Sequence, residues 1–266
     1  MNQAKNQTTA LKSAAEQAPK MLVTGGAKRV GAALVRAAAE DGWNVFIHCH
    51  NNLDEAETLA DELGKNHLRP AILQADLADA EACKALMAAV CADGPLDALI
   101  NNASQFTYDQ VDAFKTEDLA SHMAVNVAAP AILIAEMATA LGSAHKGVVI
   151  NMLDAKLFGM NPDYFTYTLS KAALHTMSQM SAQYLAPNLR VNNIAPGITL
   201  PSGGQTEAEF LLAHKRNPLG QGADIAEIVA AMRLIVSAPS MTGHTIVLDG
   251  GVHLQPAPRD VAFLED

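Results

Sequence analysis

Tyr167 and Lys171 stand four residues apart in the run 165–185. That run reads as a helix, so both side chains project from one face, one turn apart. An ammonium beside a phenol favours the phenolate and predicts a lowered tyrosine pKa. Such a pair suits a reaction in which hydride arrives at one atom and a proton at its neighbour. Asp154 follows the apolar run 147–153, which reads as a buried strand. A carboxylate is thereby placed near a strand's C-terminal end, where open parallel sheets hold their ligands. The Tyr-x-x-x-Lys spacing also occurs on ordinary helix surfaces, and the rest of the chain gives it weight.

The positioning elements follow from periodicity and punctuation. Residues 20–41 read as strand, glycine turn and helix, with Thr24-Gly-Gly-Ala-Lys-Arg-Val-Gly31 at the turn. Glycines there let backbone come close to a pyrophosphate, and the helix N-terminus supplies N–H groups and positive dipole. Further strands are expected at 44–49, 69–74, 96–101, 147–153, 189–196 and 242–248. Helices are expected at 53–63, 80–92 (capped by Asp79), 165–185 and 223–237, with a helical, site-closing stretch inside 200–217. A further long helix carries Asn126, with Thr116 or Ser121 as its cap. Strands alternating with helices predict an α/β fold. It is a single doubly wound parallel seven-stranded sheet, a Rossmann fold, with helices on both faces. The domain spans 20–266 behind a mobile tail, 1–19.

The second strand exits through His48-Cys-His-Asn-Asn52, with no acidic residue before Asp54. An acidic side chain there would take the ribose 2′-hydroxyl of NAD, so its absence beside Lys28 and Arg29 favours NADP. His48 and His50 have no third ligand in view, and no metal site is expected. His50, Asn51 and Asn52 are read as packing or phosphate contacts. Phe106, at the fourth strand's exit, either stacks on a flat heterocycle or packs in the core.

Composition narrows the partners. The chain has 266 residues, half of them hydrophobic, and a formal charge of -10. That is enough apolar material for a full core, and the acidity disfavours nucleic acid and anionic membranes. Cys49, Cys83 and Cys91 show no metal-type spacing and fit reduced thiols in a cytoplasmic protein. Residues 1–20 lack the apolar core of a signal peptide. The stretch 125–141 is interrupted by Asn126, Pro130 and Glu136, and reads as a buried helix rather than a membrane span.

Several motifs recur in order across 20–251: Thr24-Gly25-x-x-x-Arg29-x-Gly31, Asn101-Asn102-Ala103, Met123-Ala-Val-Asn126-Val, Tyr167-x-x-x-Lys171 and Arg190-Val-Asn-Asn-Ile-Ala-Pro196-Gly197. Together they resemble the short-chain dehydrogenase/reductase family. The resemblance implies that Gly25, Lys28, Arg29, Val30 and Gly31 cradle the cofactor, that Asp76, followed by Leu77, meets the adenine, and that Asn102, Ala103 and Ser104 line the dinucleotide. Pro196, Gly197 and Ile198 would approach the nicotinamide. Tyr167 would give the proton, and Lys171 would hold the ribose and lower the Tyr167 pKa. Asn126 would complete a relay through a water to the lysine. The family usually forms tetramers, through 121–141 and 165–185, where the small side chains Ala172, Ala173, Ser178, Ser181 and Ala182 would permit close packing; core packing explains them equally well.

Two departures select a branch. Arg29 replaces a glycine, and Asp154 stands thirteen residues before Tyr167, where the family has serine. A serine hydroxyl can polarise a ketone, whereas a carboxylate repels a developing oxyanion. Aspartate there, with His48-Cys-His50 and Asn101-Asn-Ala-Ser-Gln-Phe106, resembles the pteridine and dihydromonapterin reductases. That implies an NADPH-dependent reductase of a dihydropteridine- or dihydrofolate-like C=N bond. Phe106 and the nicotinamide would sandwich the pterin, Arg29 and Ser104 would bind phosphate and the pterin edge, and Asp154 would feed protons or hold the pterin. The basic residue expected after His-x-His is Asn51, which leaves the 2′-phosphate to Arg29, His50 and Asn52. Two alternatives stay open: reduction of another carbonyl or enoyl substrate, and a non-catalytic dinucleotide-binding regulator.

Overall fold

The computed structural model describes residues 18–201, 206–255, 257–260 and 263. Of the expected tail at 1–19, residues 1–17 lie outside them. Strands β1 (Lys20–Val23), β2 (Asn44–Cys49), β3 (Ala71–Gln74), β4 (Ala98–Asn101), β5 (Gly147–Met152), β6 (Leu189–Pro196) and β7 (Thr245–Leu248) form one sheet. The spatial order is β3-β2-β1-β4-β5-β6-β7, and every pairing is parallel. The order reverses between β1 and β4, which opens a crevice at the C-terminal edge of the strands.

Helices α1 (Arg29–Glu40), α2 (Leu53–Leu63), α3 (Ala80–Val90), α4 (Thr116–Met123), α5 (Ala129–Leu141), α6 (Phe165–Leu185), α7 (Glu207–Lys215) and α8 (Ile225–Ser237) complete the architecture. Alternation along each strand sorts the core into two layers. Met21, Val23, Ile100 and Ile150 face α1 and α8 through Leu34, Val35, Ile228 and Met232. Leu22, Leu99, Val149 and Val191 face the other way, against Leu133, Met137 and Ala182.

Most predicted boundaries hold to within a few residues. Asp79 caps α3 by accepting from the Glu81 N–H, and the turn of Gly64 follows α2. Asp224 and Glu227 form a capping box on α8, as Thr206 and Glu209 do on α7. The third strand starts after Pro70, which has no N–H to give the ladder. Neither Thr116 nor Ser121 caps α4: Lys115 holds the N-cap position and makes no side-chain cap bond. The helix 116–141 is long and apolar enough to cross a membrane, but Leu133, Ile134, Met137 and Leu141 are buried in the core. Of the small residues read as fitting either close packing between copies or the core, Ser178 and Ala182 are buried inside the chain. Ser178 accepts from Asn151, and Ala182 packs in the second core layer.

Candidate active site

The cofactor end is built mainly from backbone. Gly25 leaves β1 with φ +61, and a Cβ there would press on the Ala103 backbone at 3.0 Å. Thr24 Oγ1 donates to Ile100 O and accepts from the N–H groups of Asn102 and Ala103. Asn102 Nδ2 returns bonds to the carbonyls of Thr24 and Gly25. These contacts staple the first glycine turn to the β4 exit across the switch point.

His48 completes the brace. Its Nδ1 accepts from the Gly25 N–H at 3.2 Å and its Nε2 faces Ala75 O at 3.1 Å. The two partners assign the neutral Nε2–H tautomer. Burial holds its pKa below the ordinary histidine value, as a neutral brace requires. Both ring nitrogens are thereby spent on bracing the turn.

A cavity of about 490 Å³ lies beside this turn. Gly25, Lys28, Arg29, Val30, Gly31, His50, Asn52, Asp76, Leu77, Asn102, Ala103 and Ser104 all line it. Asn51 does not line it. No acidic residue sits in the first turn of α1, so its N–H groups present an unopposed positive end. Sequence reasoning missed Glu55, which holds Lys28 in an ion pair at 2.5 Å.

Proton chemistry is placed at the end of β5. Asp154 follows the strand as the N-cap of a single 3₁₀ turn, and its Oδ1 accepts from the Lys156 N–H. Its Oδ2 accepts from the Tyr167 hydroxyl at 2.9 Å. Lys171, one turn along α6, donates from Nζ to Met152 O at 2.7 Å and lies 5.6 Å from the Tyr167 ring centroid.

The expected lowering of the Tyr167 pKa is corrected. Burial and then the Asp154 charge push it well above the ordinary phenol value. Both effects penalise a phenolate, and the lysine, spent on a carbonyl, does not outweigh them. Lys171 itself is lowered to about 8 by burial, against the opposing pull of Asp154.

Asn126 sits in a π-turn, Ala124–Ala128, between α4 and α5. Its Oδ1 accepts from the Gln105 N–H at 2.7 Å and from Ser104 Oγ, and its Nδ2 donates to Gln105 O and Ser170 Oγ. The side chain therefore ties the segment after β4 to α6. His122 steadies the same segment. It accepts from the Thr107 N–H on Nε2, while its Nδ1 meets Thr166 Oγ1, which donates to Asp109.

Between these clamps Phe106 projects, 48% exposed, edge-on to Tyr167 at 4.7 Å. A half-exposed phenylalanine is not core, and this ring is open to a cavity beside Tyr167. Phe106, Arg29, Asp154 and Tyr167 line a second cavity of about 590 Å³, with Pro196, Gly197 and Ile198. Arg29, opening α1 at φ +53, lines both cavities. Ser104 lines the cofactor cavity alone. Tyr164, Lys156 and Arg259 also wall the second cavity. Sequence reasoning missed all three.

The family model for short chain dehydrogenases matches residues 19–209. The FolM alternative dihydrofolate reductase 1 of Brucella suis, solved in complex with NADP, is 38% identical, with a TM-score of 0.86 over 91% of this chain and 98% of that one. Pteridine reductase 1 of Leishmania tarentolae is 29% identical over 90% of this chain and 98% of its own. The 3-oxoacyl-[acyl-carrier-protein] reductase FabG of Staphylococcus aureus is 26% identical over 88% and 97%. The fold agrees with these matches, and the chain belongs to the short-chain dehydrogenase family.

Proposed function

We propose that the chain is an NADPH-dependent reductase of a pterin C=N bond, in a dihydropteridine- or dihydrofolate-like substrate. The observation that carries this reading is the 2.9 Å bond from Tyr167 to Asp154 beneath the exposed Phe106 ring. The likeness to the Brucella and Leishmania reductases supports it.

The cradle fits a dinucleotide. A methyl at Gly25 or Gly31 would collide with the chain's own Ala103, Gly25 and Asn102 atoms, so these glycines keep the turn tight and leave the N–H groups that open α1 facing the cavity. Lys28 and Arg29 supply positive charge there. When bound, NADPH supplies the hydride. The chain's own residues do the rest. Phe106 offers a face to a flat bicycle. Tyr167 gives its proton to the substrate nitrogen as the adjacent carbon is reduced, so the C=N bond becomes CH–NH. Asp154 orients the phenol, and its carboxylate opposes the oxyanion that ketone reduction would build at the same place. The Lys171 ammonium offsets negative charge left on the Asp154–Tyr167 pair.

The test is NADPH oxidation with dihydrobiopterin, dihydromonapterin and dihydrofolate, set against a panel of ketones. Turnover of a dihydropterin, lowered at least about 100-fold in Asp154→Ser, is expected. Inert pterins in the wild type, with turnover of ketones, would select the carbonyl alternative.

A further inference from the structure

We infer that Asp163 is a positioning residue for the substrate slot: it latches the C-terminal segment 257–260 over the cavity and thereby holds the Tyr164–Phe106 stack. The choice of substrate in the test below rests on the pterin reading; the latch does not.

Ala257, Pro258, Arg259 and Asp260 wall the larger cavity, roughly a hundred residues downstream of Asp163. Asp163 is 1% exposed. Its Oδ2 accepts from Arg259 Nε at 2.8 Å and from the Asp260 N–H at 2.7 Å, and its Oδ1 accepts from Arg259 Nη2 at 2.7 Å. Tyr108 OH adds a longer bond to Oδ1. A two-toothed guanidinium fork on a buried carboxylate is a directional contact. The Arg259 charge keeps the Asp163 carboxyl below the usual carboxylate range. A second staple runs alongside. Lys156 Nζ donates to Asp163 O at 2.6 Å and to Asp260 Oδ2 at 3.2 Å. Nothing in the sheet requires either ion pair, so the site must explain the burial of this charge.

The next residue gives that explanation. Tyr164 has φ +55, a left-handed conformation rare for a tyrosine. Strain of this kind persists only where its surroundings over-determine it. Here the Asp163 latch precedes Tyr164, and the Thr166 N–H, bonded to Asp109, follows it. The ring this backbone presents stacks on Phe106 at 4.5 Å and 17°, with the Lys156 ammonium 5.1 Å from its centroid. Phe106 in turn meets Tyr167 edge-on. A continuous path of contacts therefore joins Arg259, Asp163, Tyr164, Phe106 and the proton donor. With the latch closed, the slot has a fixed aromatic floor and a covered outer end. Compact bicycles gain from both, and substrates with a long substituent must push against the cover.

The test compares wild type, Asp163→Asn and Arg259→Ala as full-length chains. Should the buried Asp163→Asn fail to fold, Arg259→Ala carries the test, because that side chain is 41% exposed. The first readout is hydrogen exchange without ligand. Exchange is expected to quicken together in 257–260 and in 155–166; quickening confined to 257–260, or absent, overturns the latch. The second is steady-state kinetics with dihydrobiopterin and dihydrofolate. The dihydrobiopterin KM is expected to rise about tenfold, with a smaller change in kcat and a smaller loss for dihydrofolate. Arg259→Lys, which keeps the charge without the fork, should recover part of the loss. Equal losses on both substrates would overturn the specificity role even where exchange is coupled. A wild type inert toward every pterin would refute the proposed function, and the exchange readout would still decide the latch.

Discussion

The two halves of the crevice are held by different physics. At the cofactor end, β1, β2 and β4 present backbone, and the groups that fix it are neutral and local to the sheet: Thr24, Asn102 and a histidine kept uncharged by burial. At the substrate end, β5 and α6 present side chains whose charges are paired over long chain separations, as in Asp163 with Arg259 or Lys156 with Asp260. Uncharged backbone bonds give a rigid seat for a constant ligand. Paired charges and stacked rings give a wall that single substitutions can reshape while the sheet stays in place. Binding of the dinucleotide and selection of the substrate should therefore be separable.

The largest separation is expected from Tyr167→Phe. In the proposed mechanism the hydroxyl removed is the proton donor, so turnover should fall by about 10²–10⁴-fold, while NADPH affinity measured by fluorescence titration stays within a few-fold of wild type. A matching fall in affinity would break the division between the two ends. The same site predicts a pH signature. Lys171 loses its charge as pH rises through about 8, whereas the Tyr167 phenol titrates well above its ordinary value. Wild-type kcat/KM, which reports groups of the free enzyme, should decline on the alkaline side from about pH 8. A decline setting in only beyond pH 10 would assign the limb to the phenol and show Lys171 to be better solvated than its burial implies.

Gly31→Ala should act at the opposite end. A methyl there would overlap Gly25 O and Asn102 Nδ2, both fixed by the staple across the switch point. Overpacking against backbone costs about 1–3 kcal/mol, to be read by urea unfolding together with a weakened NADPH Kd. At saturating NADPH the variant's KM for the pterin should match wild type. A changed pterin KM would mean that the glycine turn also shapes the substrate slot.

These differences track what the chain discloses before it folds. The cofactor end was legible because backbone constraints leave residue-type signatures. Only glycine fits at Gly25 and Gly31, and Asn102 follows its strand directly. Fold class and strand count were legible for the same reason, since buried parallel strands read as short apolar runs between glycine turns. Tyr167, Lys171 and Asp154 were visible by spacing and by strand position. Their electrostatics were not, because the depth of burial that raises one pKa and lowers another is a property of packing. Asn126 was legible as a buried polar group that needs partners, but not which ones: Ser104, the Gln105 backbone and Ser170. The latch was invisible. Arg259 and Asp163 lie 96 residues apart, each looks like ordinary surface charge, and no local pattern links them. The left-handed Tyr164 carries no signature either, since tyrosine rarely takes that conformation.

The smallest expected effect tests the one charged contact at the cofactor end. Lys28 holds the N-cap position of α1, and its Nζ pairs with Glu55 in the first turn of α2. The strand exit between them offers only the neutral Asn51 and Asn52 and the imidazole of His50. A cofactor carrying a 2′-phosphate at that exit must share Lys28 with Glu55, and the carboxylate also repels the phosphate directly. Both side chains are nearly half exposed, so solvent screens the pair and the effect is modest. Glu55→Gln should tighten NADPH binding by about two- to fivefold, leave NADH nearly unchanged, and show a gain that shrinks as salt is raised. Fluorescence titration of both cofactors at two ionic strengths measures this. An equal gain for NADH would place the Glu55 charge against the shared pyrophosphate instead of the 2′-phosphate. The cofactor preference would then rest on the Arg29 guanidinium and His50, and the Lys28–Glu55 pair would tune affinity for both cofactors alike.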